Sequence, residues 1–422
     1  MRFIIASFIL VLSLVFFSSN AAAQKLIIDL KTISLGNKAQ GLAEDTIVVS
    51  PDNRRIAYGA TRNGKQFVVL DGKEGATYDG IAPSNLRFSP DGKRFAYVAR
   101  RGLKQLVIVD GVEGKEYDLI GAKSVTFSAD SKTLIYGAAL GQKQLVVVNS
   151  AEQRAYDGIV GGTLSMSLRG NHLVYVAAKS DGQFVVVDGN EGGHYPQINS
   201  VHFSPDGEHL VFSTGAELKH RVVYDGVPGA EYNGFGAFVF SPDSKRLAFA
   251  AVKNSKKFVV LENIEQKNYE GIGRMIFSPD SKRFAHIAAR SNKRPVVADG
   301  REGKNYDAIQ SDNFLFSPDS QQIAFTATTD GKHFLVVNDV EGKKYDHIFG
   351  DTLAFSPDGK RIAFGAERDG KVFVVIDDCE SKPTGNFARS SKLVFESANS
   401  LSFVAIENDE FYRVELNISE LR

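Results

Sequence analysis

Apolar residues in this chain come in short runs separated by stretches rich in Gly, Pro, Asp and Ser. The stretch from Leu86 to Ile120 shows the pattern. Leu86–Phe88, Arg94–Ala99, Gln105–Asp110 and Lys115–Ile120 each carry Val, Ile, Phe or Tyr and end at a turn-forming residue. Such runs read as four short strands, a to d. Runs b and c are almost continuously apolar, as in sheets covered on both faces. Beyond the amino terminus no long stretch has a helical period.

The pattern repeats. Ser-Pro-Asp begins at Ser50, Ser89, Ser204, Ser241, Ser278, Ser317 and Ser356, and degenerate copies stand at Ser128, Ser167 and Ser397. The spacings are 39, 39, 39, 37, 37, 37, 39, 39 and 41 residues. Eight residues after each Ser is an aromatic column: Tyr58, Tyr97, Tyr136, Tyr175, Phe212, Phe249, His286, Phe325 and Phe364. Twenty-eight residues after each Ser is a tyrosine column from Tyr78 to Tyr345. A four-stranded unit of this length, with one aromatic per strand column, predicts an all-β chain: a β-propeller of four-stranded antiparallel blades, about ten repeats of 37–41 residues. The tyrosine column also holds in the 37-residue units, so their missing residues are expected in shortened d-to-a loops. The last unit has runs at Lys392–Phe395, Leu401–Ile406 and Phe411–Leu416, and Lys25–Ile33 supplies its fourth strand. Terminal strands sharing one blade remove an open sheet edge. One ring over 24–422 is expected. The alternative is two smaller rings meeting near Asp377–Arg389 or at the Ser167 unit.

The Phe-Ser-Pro-Asp-Gly-Lys-Arg segments at Phe88–Arg94 and Phe355–Arg361, with their variants, resemble the WD-like repeat family of the Ser-Pro-Asp type, the TolB-like propeller proteins. The resemblance covers nearly all of the chain after residue 23. It implies the propeller fold and says little about function, since a fold hosts many functions.

Composition narrows the classes. The 422 residues carry 50 Lys+Arg against 50 Asp+Glu, which argues against a general nucleic-acid binder. The one cysteine, Cys379, excludes an intrachain disulfide framework. Met1-Arg2, the apolar run Phe3–Phe17 and the small residues before Gln24 read as a signal peptide, 1–23, cut after Ala23. The protein is therefore expected to be exported, to periplasm or extracellular space, with no transmembrane segment after signal removal.

Candidate chemistry is sparse. The Ser-Pro-Asp-Gly turn is explained by its backbone needs. The hairpins Asp71–Gly75, Asp110–Gly114 and Asp299–Gly303 read as turn chemistry rather than calcium loops. The eight histidines spread over several repeats, and no catalytic motif stands in its proper context. No catalytic residue, metal or cofactor is assigned. The expected role is a non-enzymatic scaffold, a monomer or part of an envelope complex, binding a protein or anionic polymer on one face. The alternative is a polysaccharide lyase or hydrolase with a site at the ring mouth. The b-to-c loops are persistently basic, and a cleft of one sign attracts the opposite charge. Lys219, Arg221, Lys256, Lys257, Arg290, Lys293 and Arg294 are the candidate binding residues. The competing reading is that these cations are neutralised by the d-to-a residues Asp79, Asp118, Asp157, Asp307 and Asp346.

Overall fold

A computed structural model describes residues 26–169, 172–217 and 219–420. The expected signal peptide and its cut site lie outside the described residues. The chain forms ten antiparallel sheets arranged as one ten-bladed propeller. Blade 2 is typical: strand a in two pieces, Gly80–Ile81 and Arg87–Phe88, then b at Phe95–Arg101, c at Lys104–Val109 and d at Val112–Tyr117. Strand d starts earlier than the apolar pattern suggests, because Asp110 and Gly111 alone make the hairpin turn. Both have positive φ, 52° and 83°, the geometry of a two-residue hairpin that suits an Asp-Gly pair. Gly114 then falls where the register slips between Glu113 and Glu116. This bulge, together with the charged residues of strand d, protects the exposed outer edge.

The 37-residue repeats differ from expectation in where they lose residues. In blade 2, strand a is interrupted by a short 3-10 turn at Pro83–Asn85. In blades 5, 6 and 7 it runs unbroken, over Ile198–Phe203, Gly234–Phe240 and Gly271–Phe277. The two residues are therefore missing from the interruption within strand a. The rim loop is not shortened, and the chain passes straight into its ladder with strand b. Strand a is the innermost strand of a propeller blade, so the change alters the channel wall of three consecutive blades.

The core lies between blades. Each outer-strand tyrosine packs on the strand-b aromatic of the next blade, as in Tyr78–Tyr97, Tyr117–Tyr136, Tyr232–Phe249 and Tyr345–Phe364. Ring centroids lie 5.7–6.4 Å apart with steep interplanar angles. Such pairs add about 0.5–1.5 kcal/mol each beyond simple area burial. The aliphatic residues of strands b and c fill the rest, as at the blade 2–3 junction with Val98, Val107, Val125 and Leu145.

The final blade combines the two ends of the chain. Leu26–Asn37 pairs antiparallel with Glu410–Glu420, from Leu26 opposite Glu420 to Asn37 opposite Glu410. Tyr58 and Phe67 of blade 1 share a core with Ala388, Val404 and Phe411 of blade 10. Asn53 of the first turn donates to the carbonyls of Lys392 and Ser402 at 3.0 and 2.9 Å. Blade 10 therefore meets blade 1, and the ring closes once.

His286 occupies a Tyr/Phe position and is buried against Tyr269, with ring centroids 5.7 Å apart. Burial pushes its pKa down from 6.5 to about 4. Between those values the unfolded chain binds the extra proton. The contribution to stability is therefore complete above about pH 6.5 and is lost as pH falls toward 4. We predict that His286→Phe narrows the acid-induced fall in Tm, by an amount equivalent to at most about 3 kcal/mol at pH 4. Parallel Tm-versus-pH curves for the two proteins would contradict this assignment.

Candidate binding face

Ion pairs fix which turns share a face. Lys65 pairs with Asp79 at 2.5 Å, joining the b-to-c and d-to-a segments. Arg55 pairs with Asp71 at 2.8 Å, joining the a-to-b and c-to-d turns on the other side.

On the b-to-c face one arrangement recurs. Lys65, Lys104, Lys143 and Lys332, which open strand c, and Lys293, just before it, pair at 2.5 Å with Asp79, Asp118, Asp157, Asp346 and Asp307 respectively. The second carboxylate oxygen accepts a backbone N–H from the next blade. Gly102 donates to Asp79 at 2.6 Å, Gly141 to Asp118 at 2.7 Å and Asp369 to Asp346 at 2.9 Å. Each aspartate thus holds two blades together. Lys104 and the Gly141 N–H keep the Asp118 carboxyl below its usual range.

A second arrangement engages the cation at the end of strand b. Arg62, Arg101, Lys179, Lys253, Arg290 and Arg368 pair with Glu74, Glu113, Glu191, Glu265, Glu302 and Glu380. Several also lie over the preceding blade's tyrosine, as Arg101 does over Tyr78 and Arg290 over Tyr269, at 5.7 and 5.2 Å. Lys267, the Tyr269 hydroxyl and Arg290 together hold the Glu302 carboxyl at about 2.

These arrangements divide the seven candidate residues. Arg290 belongs to Glu302, Lys293 to Asp307, and Arg221 stands 3.5 Å from Glu231. For these three, internal neutralisation describes the geometry. Lys219, Lys256, Lys257 and Arg294 form no ion pair among the described residues, and Arg294 donates only to the Lys293 carbonyl, at 3.2 Å.

The sequence explains why. The aspartate that would meet Lys219 is replaced by Asn233, which still accepts the Asn254 N–H at 2.7 Å but brings no charge. The one that would meet Lys256 is Glu270, whose carboxylate accepts the Ser291 N–H at 3.0 Å. Lys257 and Arg294 occupy a glutamine position. In blades 1 to 4, Gln66, Gln105, Gln144 and Gln183 accept an N–H from the next blade's strand a, from Ile81, Ile120, Ile159 and Ile198. Blades 5, 6 and 7 place His220, Lys257 and Arg294 there. His220, whose Nε2 meets the Glu217 carbonyl at 2.8 Å, was not among the expected residues. Its column position is the signal that finds it.

The other candidates serve the scaffold. Asp71, Asp110 and Asp299 accept the first N–H of their own strand b and pair with Arg55, Arg94 and Arg283. Glu74, Glu113 and Glu302 turn to different cations, so the two acids of each hairpin do not converge. His172 and His209 take the arginine's place and meet Asp188 and Asp225 at 2.7 Å each. His333 and His347 meet across a junction, with ring centroids 5.4 Å apart. No group of three His, Cys, Asp or Glu suited to a metal ion is found among the described residues. No helix of the described chain is long and apolar enough to cross a membrane.

Comparison with known proteins supports the fold. Residues 189–217 match the family model "WD domain, G-beta repeat". A solved structure described as a eukaryotic initiation factor superposes with a TM-score of 0.51 at 13% identity, covering 86% of this chain and 98% of that one. The Dos1 propeller aligns over 91% of this chain and 94% of its own, at 12% identity and a TM-score of 0.37. The Cps50 (Swd1) propeller of Myceliophteria thermophila aligns over 69% and 95%, at 11% identity and a TM-score of 0.31. No curated protein matches in sequence. The fold is that of a WD-like β-propeller.

The aspartate staple makes a ranked prediction. Asp118→Ala removes both the Lys104 pair and the Gly141 acceptor, whereas Lys104→Ala removes the pair alone. Thermal unfolding should show the larger fall in Tm for D118A. Equal falls would mean that the backbone bond across the junction contributes nothing.

Proposed function

We propose that this protein is an exported, non-enzymatic propeller scaffold that binds an anionic protein or polymer on the b-to-c face of blades 5 to 7. One observation carries the reading. Lys219 and Lys256 form none of the aspartate pairs that hold Lys65, Lys104 and Lys143, and Lys257 and Arg294 stand as cations where blades 1 to 4 carry an uncharged glutamine. Adjacent blades of equal repeat length set these cations at regular steps around the ring. Uncompensated charge on one face raises the encounter rate with an opposite charge, within a screening length of about 8 Å at physiological salt. WD-like propellers are scaffolds whose faces commonly take up partners, and the TolB-like resemblance fits a role in the cell envelope. Export rests on the leader pattern of residues 1–23.

Two outcomes are expected. Reversing Lys219, Lys256, Lys257 and Arg294 to Glu should shift elution from a dextran sulfate column to clearly lower salt. Reversing Lys93, Lys132, Lys282 and Lys360, in the Ser-Pro-Asp and Ser-Ala-Asp turns of the opposite face, makes the same change in net charge and should shift it much less. Equal shifts would remove the face assignment. Amino-terminal sequencing of the protein from the exported fraction should begin at Gln24; an intact leader, or retention inside the cell, would overturn export.

A further inference from the structure

On the opposite face, the junction between blades 5 and 6 lacks both an arginine bridge and a strand-d glutamate. In blades 1, 2, 6 and 7 an arginine at the start of strand b bridges to the next blade's turn. Arg246 pairs with Glu262 and donates to the carbonyls of Ser281 and Lys282, both at 2.9 Å. Arg55 and Arg283 do the same with Gly92, Lys93, Ser320 and Gln321. Their guanidinium groups also cover the next blade's Phe88, Phe277 and Phe316. Blade 5 has His209 in this slot. Its imidazole stays with Asp225 and stacks on Tyr224, with ring centroids 5.5 Å apart. The ring is too short to reach the turn of blade 6. Pro228 of the same blade stands where others carry the strand-d glutamate.

A cleft of about 830 Å³ opens there, against about 370 and 510 Å³ at the next two junctions, where Arg246 and Arg283 are in place. Its size lies within the usual range of small-molecule sites, roughly 300–1,000 Å³. Val222, Tyr224, Pro228, Leu247 and Phe249 give it apolar walls.

Two polar groups in the cleft are unused. Tyr232 lines it and is 5% exposed. The equivalent hydroxyls of Tyr78 and Tyr269 donate to the next blade's glutamate at 2.8 and 2.7 Å. The glutamate facing Tyr232 is Glu265, which is held by Lys253 at 2.9 Å, and the Tyr232 hydroxyl forms no hydrogen bond in the protein. The hydroxyl opens onto the cleft, where an acceptor on a ligand would take the place that the glutamate has for Tyr78 and Tyr269. Of the charged lining residues, Asp225 is held by His209 and Glu262 by Arg246, whereas Lys245 has no ion pair among the described residues.

We infer that the cleft between blades 5 and 6 binds a small anion with an apolar body, the body against Tyr224, Pro228 and Phe249, an acceptor at the Tyr232 hydroxyl and the charge at Lys245. This site is on the face opposite the proposed polyanion surface and is independent of it.

The probe is 8-anilinonaphthalene-1-sulfonate, with N-phenyl-1-naphthylamine as the same body without the charge. The intact protein should bind the sulfonate saturably at one site. Ala230→Trp fills the cleft from an exposed strand-d position, and His209→Arg restores the bridge. Each should weaken the sulfonate at least about ten-fold, and H209R should also raise Tm. Lys245→Glu should weaken the sulfonate about ten-fold and leave the neutral probe unchanged. Absence of one-site binding, or unchanged binding in both folded A230W and H209R, overturns the site. Equal loss of both probes in K245E overturns the anion assignment.

Discussion

The ring depends on one contact, the packing of each outer-strand tyrosine against the strand-b aromatic of the following blade. A four-stranded blade cannot bury its own two faces. Tyr78 on Tyr97, Tyr232 on Phe249 and their counterparts turn ten such blades into a continuous core. That requirement leaves no place for an unpartnered first or last blade. Leu26–Asn37 therefore completes the sheet of Glu410–Glu420, and the Tyr58–Phe411 contact serves the final junction. His286 shows how strict the requirement is: an imidazole in the column is accepted, at the cost of a pKa far below its ordinary value.

Polar staples are layered on this core, one on each face. On one side Lys–Asp pairs reach a backbone N–H of the next blade; on the other, an arginine reaches two carbonyls of the next turn. Both use groups that would otherwise be left unpaired at junctions, and each recurs in several blades, the Lys–Asp pair in blades 1, 2, 3, 7 and 8 and the arginine in blades 1, 2, 6 and 7. Surface ion pairs alone contribute little. Their value here lies in the backbone bonds that they orient across a junction. Function then resides where the repeat abandons a staple. Blades 5 to 7 lose the glutamine, blades 5 and 6 also lose the aspartate, and all three keep cations. The junction of blades 5 and 6 loses its arginine and keeps the hydrophobic walls. The match to a WD repeat model, at residues 189–217, overlaps the start of this region.

Much of the fold was legible in the sequence because its determinants are periodic. The Ser-Pro-Asp turns, the two aromatic columns and the closing strand at the amino terminus all have fixed offsets, and the structure reproduces them. The shortened repeats were read as rim loops because sequence shows that residues are missing after the tyrosine, not whether they leave a loop or a break in strand a. The basic face was visible as charge, but its division was not. Lys293 and Lys256 look alike until Asp307 is seen beside one and Glu270, turned to the Ser291 N–H, beside the other. His220 was passed over because one histidine in a group of histidines reads as a possible metal ligand, not as a substituted scaffold position. Only alignment with Gln66, Gln105, Gln144 and Gln183 reveals that a scaffold position has been given up. The cleft was illegible for a further reason: His209, Pro228 and Tyr232 act together only once two blades are packed.

The central claim is that the cations without internal partners mark the surface that binds. Hydrogen–deuterium exchange in the presence and absence of dextran sulfate tests it most directly. The account predicts protection, reversed by salt, confined to the b-to-c segments around Lys219–Arg221, Lys256–Lys257 and Lys293–Arg294. The matching segments around Lys65, Lys104 and Lys143, whose lysines are held by aspartates, should exchange unchanged. Protection spread evenly over all the b-to-c loops, or centred on the Ser-Pro-Asp turns, would contradict it.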